Sequence, residues 1–438
     1  MTTRMPAFFP AIFFNGIRNL WLAGLWCLAA QAAHAQIRID IVGEGAVQYP
    51  VAILPLKGED QLSQSVSRVV AADLQRSGLF KLVDTGGVTP VPGEPGEVQF
   101  PTWRARGADL LMVGSVSSLP DNRIDVRFRL MDVAKQQQLT GYAYQVTPAQ
   151  LRATAHKIAD AIYEKMTGDV GVFSTRIAYI VKKGANFELQ VADADGFNPV
   201  RIVSYDEPIF SPKWSPDGNK LAFVSLRAKK PIVYVADMAK RNETIVANFK
   251  GSNSAPAWSP DGSRLAVVLT KDGPSQIYTV SAEGGAATRL TSSSGIDTEP
   301  SFSPDGRHVI FTSDRGGSPQ IYRVAVGGGA PERLTFEGGY NVSPRYAPDG
   351  KSFAFVQRNG GKFNIAVQDF GTRQVRPLTD AAVDESPSFA PNGRLILYAT
   401  EVRGRGILAS VSSDGRVKQR FTVDNGDVRE PAWGPLLK

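Results

Sequence analysis

From residue 175 onward the apolar residues fall in short runs closed by turns, too brief for helices and right for strands. KLAFVS at Lys220, HVIFTS at His308 and QIYRVAV at Gln320 are examples. The runs recur with a register. A proline stands two residues before an aromatic at Pro212/Trp214, Pro256/Trp258, Pro300/Phe302, Pro344/Tyr346, Pro387/Phe389 and Pro431/Trp433, spaced 44, 44, 44, 43 and 44 residues apart. Five of the six lead into WSPDG, FSPDG, YAPDG or FAPNG, ending at Gly218, Gly262, Gly306, Gly350 and Gly393. Each supplies what a tight turn needs: fixed φ at proline, a side chain that caps its own turn, and φ > 0 at glycine. A period near 44 carrying four short strands predicts a propeller blade.

Counting strands predicts how the ring closes. The last repeat stops at PAWGPLLK, an inner strand with no second strand after it. RIAYIVKK from Arg176 reads as a second strand with no inner strand before it. Residues 175 to 438 number 264, six times 44. The C-terminal strand is therefore expected to complete the first blade, giving six blades over residues 172–438 without a free sheet edge.

Residues 36–168 lack the repeat and predict a small α/β domain. Leu62, Val66, Val69, Val70 and Leu74 have helical spacing ahead of Ser77-Gly78. Trp103 to Asp109 reads as a short helix. LLMVGSVSSL and IDVRFRLMDV read as a hairpin turning at Pro120-Asp121-Asn122, with Arg127 and Arg129 on its polar face. Thr147-Pro148 predicts an N-cap and first helical residue for a helix through Ile158, Ile162 and Met166 to Gly168. Residues 168–171 read as a linker.

The first 35 residues read as a secretory signal peptide, with Arg4 and Arg18, an apolar run from Leu20 to Ala30 and an Ala33-His34-Ala35 cleavage signal. The single cysteine, Cys27, leaves with it, so disulfide and thiol chemistry are not expected. The net charge of +7 falls to +5 without Arg4 and Arg18, and no basic cluster marks a nucleic-acid partner. His156 and His308, the two histidines of the mature chain, read as ordinary surface or partly buried residues. No catalytic residue, cofactor or metal site is expected: GxSxG and HExxH are absent, and Asp193-Ala194-Asp195-Gly196 lacks the other ligands of a calcium loop.

What breaks the repeat is the segment leading into each inner strand. These segments are Asp206-Glu207, Ser252 to Ala255, Asp297-Thr298-Glu299, Tyr340-Asn341-Val342, Asp384-Glu385 and Asp427 to Glu430. A propeller gathers them at one mouth of its channel. Several carry carboxylates on a positively charged protein, which predicts an acidic rim that recruits a partner of opposite sign.

The order of signal peptide, α/β domain and six repeats resembles the TolB family of the Tol–Pal system. VAADLQRSGLF from Val70, EKMTG from Glu164 and TRIAYIV from Thr175 strengthen the resemblance, which covers the whole mature chain. It implies a monomeric, non-enzymatic periplasmic adaptor between the lipoprotein Pal and the inner-membrane protein TolA, serving outer-membrane integrity and cell division. The Pal face falls on Asp206, Glu207, Ser252, Asn253, Ala255, Asp297, Thr298, Glu299, Tyr340, Asn341, Asp384, Glu385, Arg429 and Glu430. The TolA segment falls on residues 36–47, expected to be mobile, with Gln36, Ile37, Arg38, Ile39, Asp40, Ile41, Val42, Gly43 and Glu44 as contacts. The alternatives are a secreted propeller hydrolase or lactonase, and a glycan-binding propeller.

Overall fold

The computed structural model describes residues 37–42, 48–423 and 426–436. The signal peptide, Gln36, Gly43 and Glu44 lie outside the described residues. Among the described residues no helix is long and apolar enough to cross a membrane.

The N-terminal domain is a mixed sheet in the order Phe80–Leu82, Tyr49–Ile53, Leu110–Ser118, Ile124–Asp132, Gln137–Val146. Its first three strands are parallel and the rest antiparallel. Helices α1 (Asp60–Arg76) and α3 (Leu151–Thr167) cover one face. Val66, Val70, Leu74, Ile158 and Ile162 bury there against Val51, Met112 and Phe128, each contributing about 1.5–3 kcal/mol. Trp103 fills the other face with Leu54, Leu111 and Val113. The helix α2 (Phe100–Ala105) starts earlier than the sequence suggested, because Pro101 occupies its first turn. Thr147 and Gln150 form the expected N-terminal capping arrangement, now around a short 3₁₀ turn that runs into α3. Gly168 ends α3 in the left-handed conformation.

Six sheets of four core strands form the propeller. The C-terminal strand Asp427–Trp433 pairs antiparallel with Arg176–Lys183, so the first blade takes its inner strand from the end of the chain and the ring closes as the count required. The aromatics of the repeat wedge between blades. Trp214 donates to the Ala432 carbonyl at 3.1 Å and Trp258 to the Lys213 carbonyl at 3.1 Å, each on the neighbouring blade.

Each inner strand also carries a bulge that the sequence did not announce. The register shifts between Phe210 and Lys213, and at the matching place in the other five. The residue just before each proline is left-handed: Ser211, Ala255, Glu299, Ser343, Ser386 and Glu430 have φ of 46–55°. Such backbone costs about 1–3 kcal/mol per residue outside glycine. The proline itself has no N–H to lose from the ladder.

Ile37–Val42, in the segment expected to be mobile, pairs antiparallel with Lys418–Val423 and makes the last blade five-stranded. The two domains also meet directly. Gly78, left-handed after α1, lies against Val417 so closely that a Cβ there would come within 2.5 Å of its side chain. Arg394 pairs with Asp169 at 2.7 Å, and Asn392 donates to the Val170 carbonyl at 2.9 Å. Residues 168–171 are thus a packed connection.

Candidate functional site

The inner strands contact one another in a closed ring, which brings their leading loops to one mouth of the axial channel. Position relative to the proline decides what each residue does. Three residues before it stand Ile209, Asn253, Asp297, Asn341, Asp384 and Val428, all facing the blade interior and buried. Asn253 accepts from the Phe249 N–H at 2.7 Å and donates to the carbonyls of Pro231, Phe249 and Gly251. Asn341 donates to Gln320 at 2.8 Å and to the Glu337 carbonyl at 2.9 Å. Asp297 is held by the Arg315 guanidinium at 2.7 and 2.9 Å. These three side chains fasten the loops.

Asp384 has no comparable partner. Both its oxygens are buried without a well-formed hydrogen bond, and burial pushes its pKa up against the pull of nearby Thr379, Thr400 and Asn364. A raised carboxylate pKa means that the ionised form weakens the fold above that pKa, and that the cost vanishes in acid. Asp384→Asn, which installs the side chain found at 253 and 341, is expected to stabilise the protein at pH 7 by about 1 kcal/mol. Thermal melts should show the gain shrinking toward acid. A loss of stability at pH 7 would contradict this account.

The remaining rim residues are more accessible. Asp206 is exposed and Glu207 pairs with Lys229 at 2.7 Å. Ser252 donates its backbone N–H to Thr270 at 2.8 Å, while Ala255 forms its strand's left-handed bulge. Arg429 reaches Asp427 at 3.1 Å and Glu385 at 3.5 Å. Tyr340 packs edge-on against Phe363, 5.8 Å between ring centres. Thr298 and Glu299 line a cleft of about 310 Å³ with Tyr340, Val342 and the exposed Ile296. Glu299 turns into the bulge, taking bonds from Thr312 at 2.8 Å and from the Ser343 N–H at 2.8 Å. Burial raises the pKa of Glu430 in its bulge, against the pull of Lys213. The acidic rim is therefore not what the fold presents: Asp297 and Asp384 are buried, Glu299 and Glu430 occupy the bulges, and Lys229 and Arg429 answer Glu207 and Glu385.

Family models match the chain in two places: a TolB amino-terminal domain over residues 37–139, and a TolB beta propeller domain over residues 163–437. The second covers more than half of the chain. The chain belongs to the TolB family. The Tol-Pal system protein TolB of Nitrosomonas europaea is 62% identical over 414 residues, covering 94% of this chain and 96% of that protein. The Tol-Pal system protein TolB of Bordetella avium is 53% identical over 443 residues, covering both chains entirely. The crystal structure of TolB from Acinetobacter baumannii superposes with a TM-score of 0.85 at 38% identity, covering 92% of this chain and all of that one. A TolB-type domain pair thus frames the loops described above.

Sequence reasoning missed a buried ionic cluster between the two domains. His156 on α3 is fully buried, beyond the surface or partly buried position expected of it. Its Nδ1 lies 2.6 Å from Asp73 of α1, and its Nε2 lies 3.8 Å from Asp195 of the first blade. Arg76 pairs with Asp73, and Arg152 pairs with Asp195 while lying 3.7 Å from Asp193. Burial alone would lower the His156 pKa, but the Asp73 hydrogen bond and the charges of Asp73 and Asp195 raise it overall. Asp73, His156 and Asp195 offer ligand atoms within 4.8 Å of one another. The two guanidinium groups already supply positive charge to those carboxylates, which favours a proton over a metal ion in the gap.

Proposed function

We propose that this chain is a non-enzymatic periplasmic scaffold, exported by the signal peptide of residues 1–35, that binds Pal at the loop-lined mouth and TolA through residues 36–47. Family membership carries the reading. The accessible part of the mouth supports it: the cleft at Thr298 pairs apolar Ile296 and Val342 with polar groups, the mixture that fits a protein partner. The leading strand Ile37–Val42 supports the TolA part, because a strand at a sheet edge is the form in which a chain adds to a partner sheet. Trading one partner for the other then shifts the balance between a docked and a released leading strand, and so links the inner membrane to the outer-membrane anchor during constriction.

Two sets of variants test this. Deleting residues 36–47 is expected to abolish TolA binding in calorimetry and leave Pal binding intact; loss of both would defeat the idea of separate sites. Thr298→Arg together with Glu385→Lys is expected to weaken Pal at least tenfold, about 1.4 kcal/mol. Unchanged Pal affinity would place that site elsewhere.

A further inference from the structure

The residue following each proline forms a ring around the channel: Lys213, Ala257, Ser301, Arg345, Ser388 and Ala432. All six line one cavity of about 370 Å³, which opens at the mouth opposite the loops just described. Four members are small, and the two long ones are both cations. Lys213 and Arg345 sit on strands three apart in a ring of six, so they face each other across the axis.

Two carboxylates, Glu299 and Glu430, act on both cations, but neither is hydrogen-bonded to them. Among the described residues the Lys213 ammonium has no hydrogen-bond or ion-pair partner, and Arg345 donates only to its neighbour's carbonyl, at 2.7 Å. Burial, then the charge of Arg345, holds Lys213 down to about 7, against the opposing pull of Glu430 and Glu299. Those carboxylates belong to the preceding ring, and Glu299 is already tied to Ser343 and Thr312. The two serines add to the donors. Ser301 Oγ accepts the Tyr346 N–H at 3.3 Å and Ser388 Oγ accepts the Trp433 N–H at 2.9 Å. Neither hydroxyl donates to another described residue, so each proton is free for a ligand in the cavity that both serines line. Outside the ring the cavity walls are apolar, with Trp214, Trp258, Phe302, Phe389 and Trp433 among them.

Two facing cations without hydrogen-bonded carboxylates and two serine hydroxyls, set behind aromatic walls with Glu299 and Glu430 outside the cavity lining, offer the contacts of an anionic group on an apolar body. We infer that this end of the channel is a binding site for a small organic carboxylate, its carboxyl held between Lys213 and Arg345 and its body against the tryptophans. This site lies away from the loops assigned to Pal and stands independently of that assignment. A free carboxylate and the C-terminus of a peptide offer the same chemistry, and the test separates them.

Three of the six tryptophans, Trp214, Trp258 and Trp433, line the cavity, so intrinsic fluorescence reports on it directly. The full mature chain is titrated with benzoate, with benzamide as the uncharged control. A tetrapeptide is added in free-acid and amidated forms. Benzoate is expected to give a saturable change with a Kd of about 1 mM or tighter, and benzamide none. Lys213→Gln and Arg345→Gln should each weaken benzoate at least tenfold, with Lys213→Arg restoring it; an unaltered thermal transition shows that the ring is intact. Binding of the free-acid peptide but not its amide assigns a chain end, whereas binding of benzoate alone assigns a free ligand. Equal response to benzamide, no saturable response to benzoate or to the free-acid peptide, or full binding by Lys213→Gln would overturn the inference.

Discussion

Removing residues 427–438 is expected to unfold the propeller outright. The deleted strand is the inner strand of the first blade, and without it Arg176–Lys183 becomes a bare edge. Ile177, Tyr179 and Val181 are buried in one cluster with Val428, and all three would lose packing there. Trp214 loses its Ala432 acceptor, and Thr175 loses the 2.8 Å bond from Trp433. Together these are of the same order as the ~5–15 kcal/mol by which a domain of this kind is stable. The exposed edge then invites strand pairing between molecules. Circular dichroism melts and size-exclusion chromatography should show no cooperative transition and an aggregated product. A soluble monomer melting within about 5 °C of the full chain would refute ring closure as the basis of stability.

Asp73→Asn is expected to destabilise the protein by about 3 kcal/mol, the scale of removing one partner from a buried ion pair. It leaves Arg76 without its carboxylate and takes the charged acceptor from His156 Nδ1. The pH dependence distinguishes this from a packing defect. His156 has a raised pKa in the folded state, so its contribution is full below the unfolded value of about 6.5 and is lost as pH climbs through the folded value. Asp195 has a lowered pKa: burial works against ionisation, but the charges of Arg76, His156 and Arg152 outweigh it. Its contribution is present above the ordinary aspartate value and is lost as pH falls through the folded one. Asp193 and Asp160 oppose it, their pKa values raised chiefly by burial. Both contributions are complete between the ordinary aspartate value of about 3.9 and the unfolded histidine value of about 6.5, and there the junction is tightest. Stability of the wild type in urea should fall as pH rises above about 6.5, and Asp73→Asn should flatten that slope. A wild-type stability constant over the range would remove His156 from the account.

The propeller was legible because its signals are local. A proline, an aromatic two residues on and a PDG turn lie within one short stretch, and repetition multiplies a weak pattern into a count of strands. The closing strand followed from that count. The ionic cluster was not legible. Asp73, His156 and Asp195 are far apart in the chain, and His156 sits among ordinary helical residues, so only the docking of α1 and α3 on the first blade brings the three together. The edge strand Gln137–Val146 escaped because it is largely exposed and lacks clean alternation. The misread rim has a subtler cause. Asp297 and Asp384 look like loop acids in isolation, but their column across the repeats also holds Ile209, Val428 and two asparagines. A column mixing aliphatic residues with short hydrogen-bonding ones marks an interior position that fastens a loop. The column after the prolines was equally visible, with two cations among alanines and serines, and its meaning emerged only when the ring order set Lys213 opposite Arg345.

The bulge before each proline has an evolutionary consequence. The residue there stands outside the regular register of its strand, and a proline stands next to it. Its side chain is thereby released from the alternation that fixes the rest of the strand. Serine, alanine and glutamate all occur at the six positions of this one chain. New axial chemistry could arise by drift at these places, one substitution at a time, while the blades around them keep their packing.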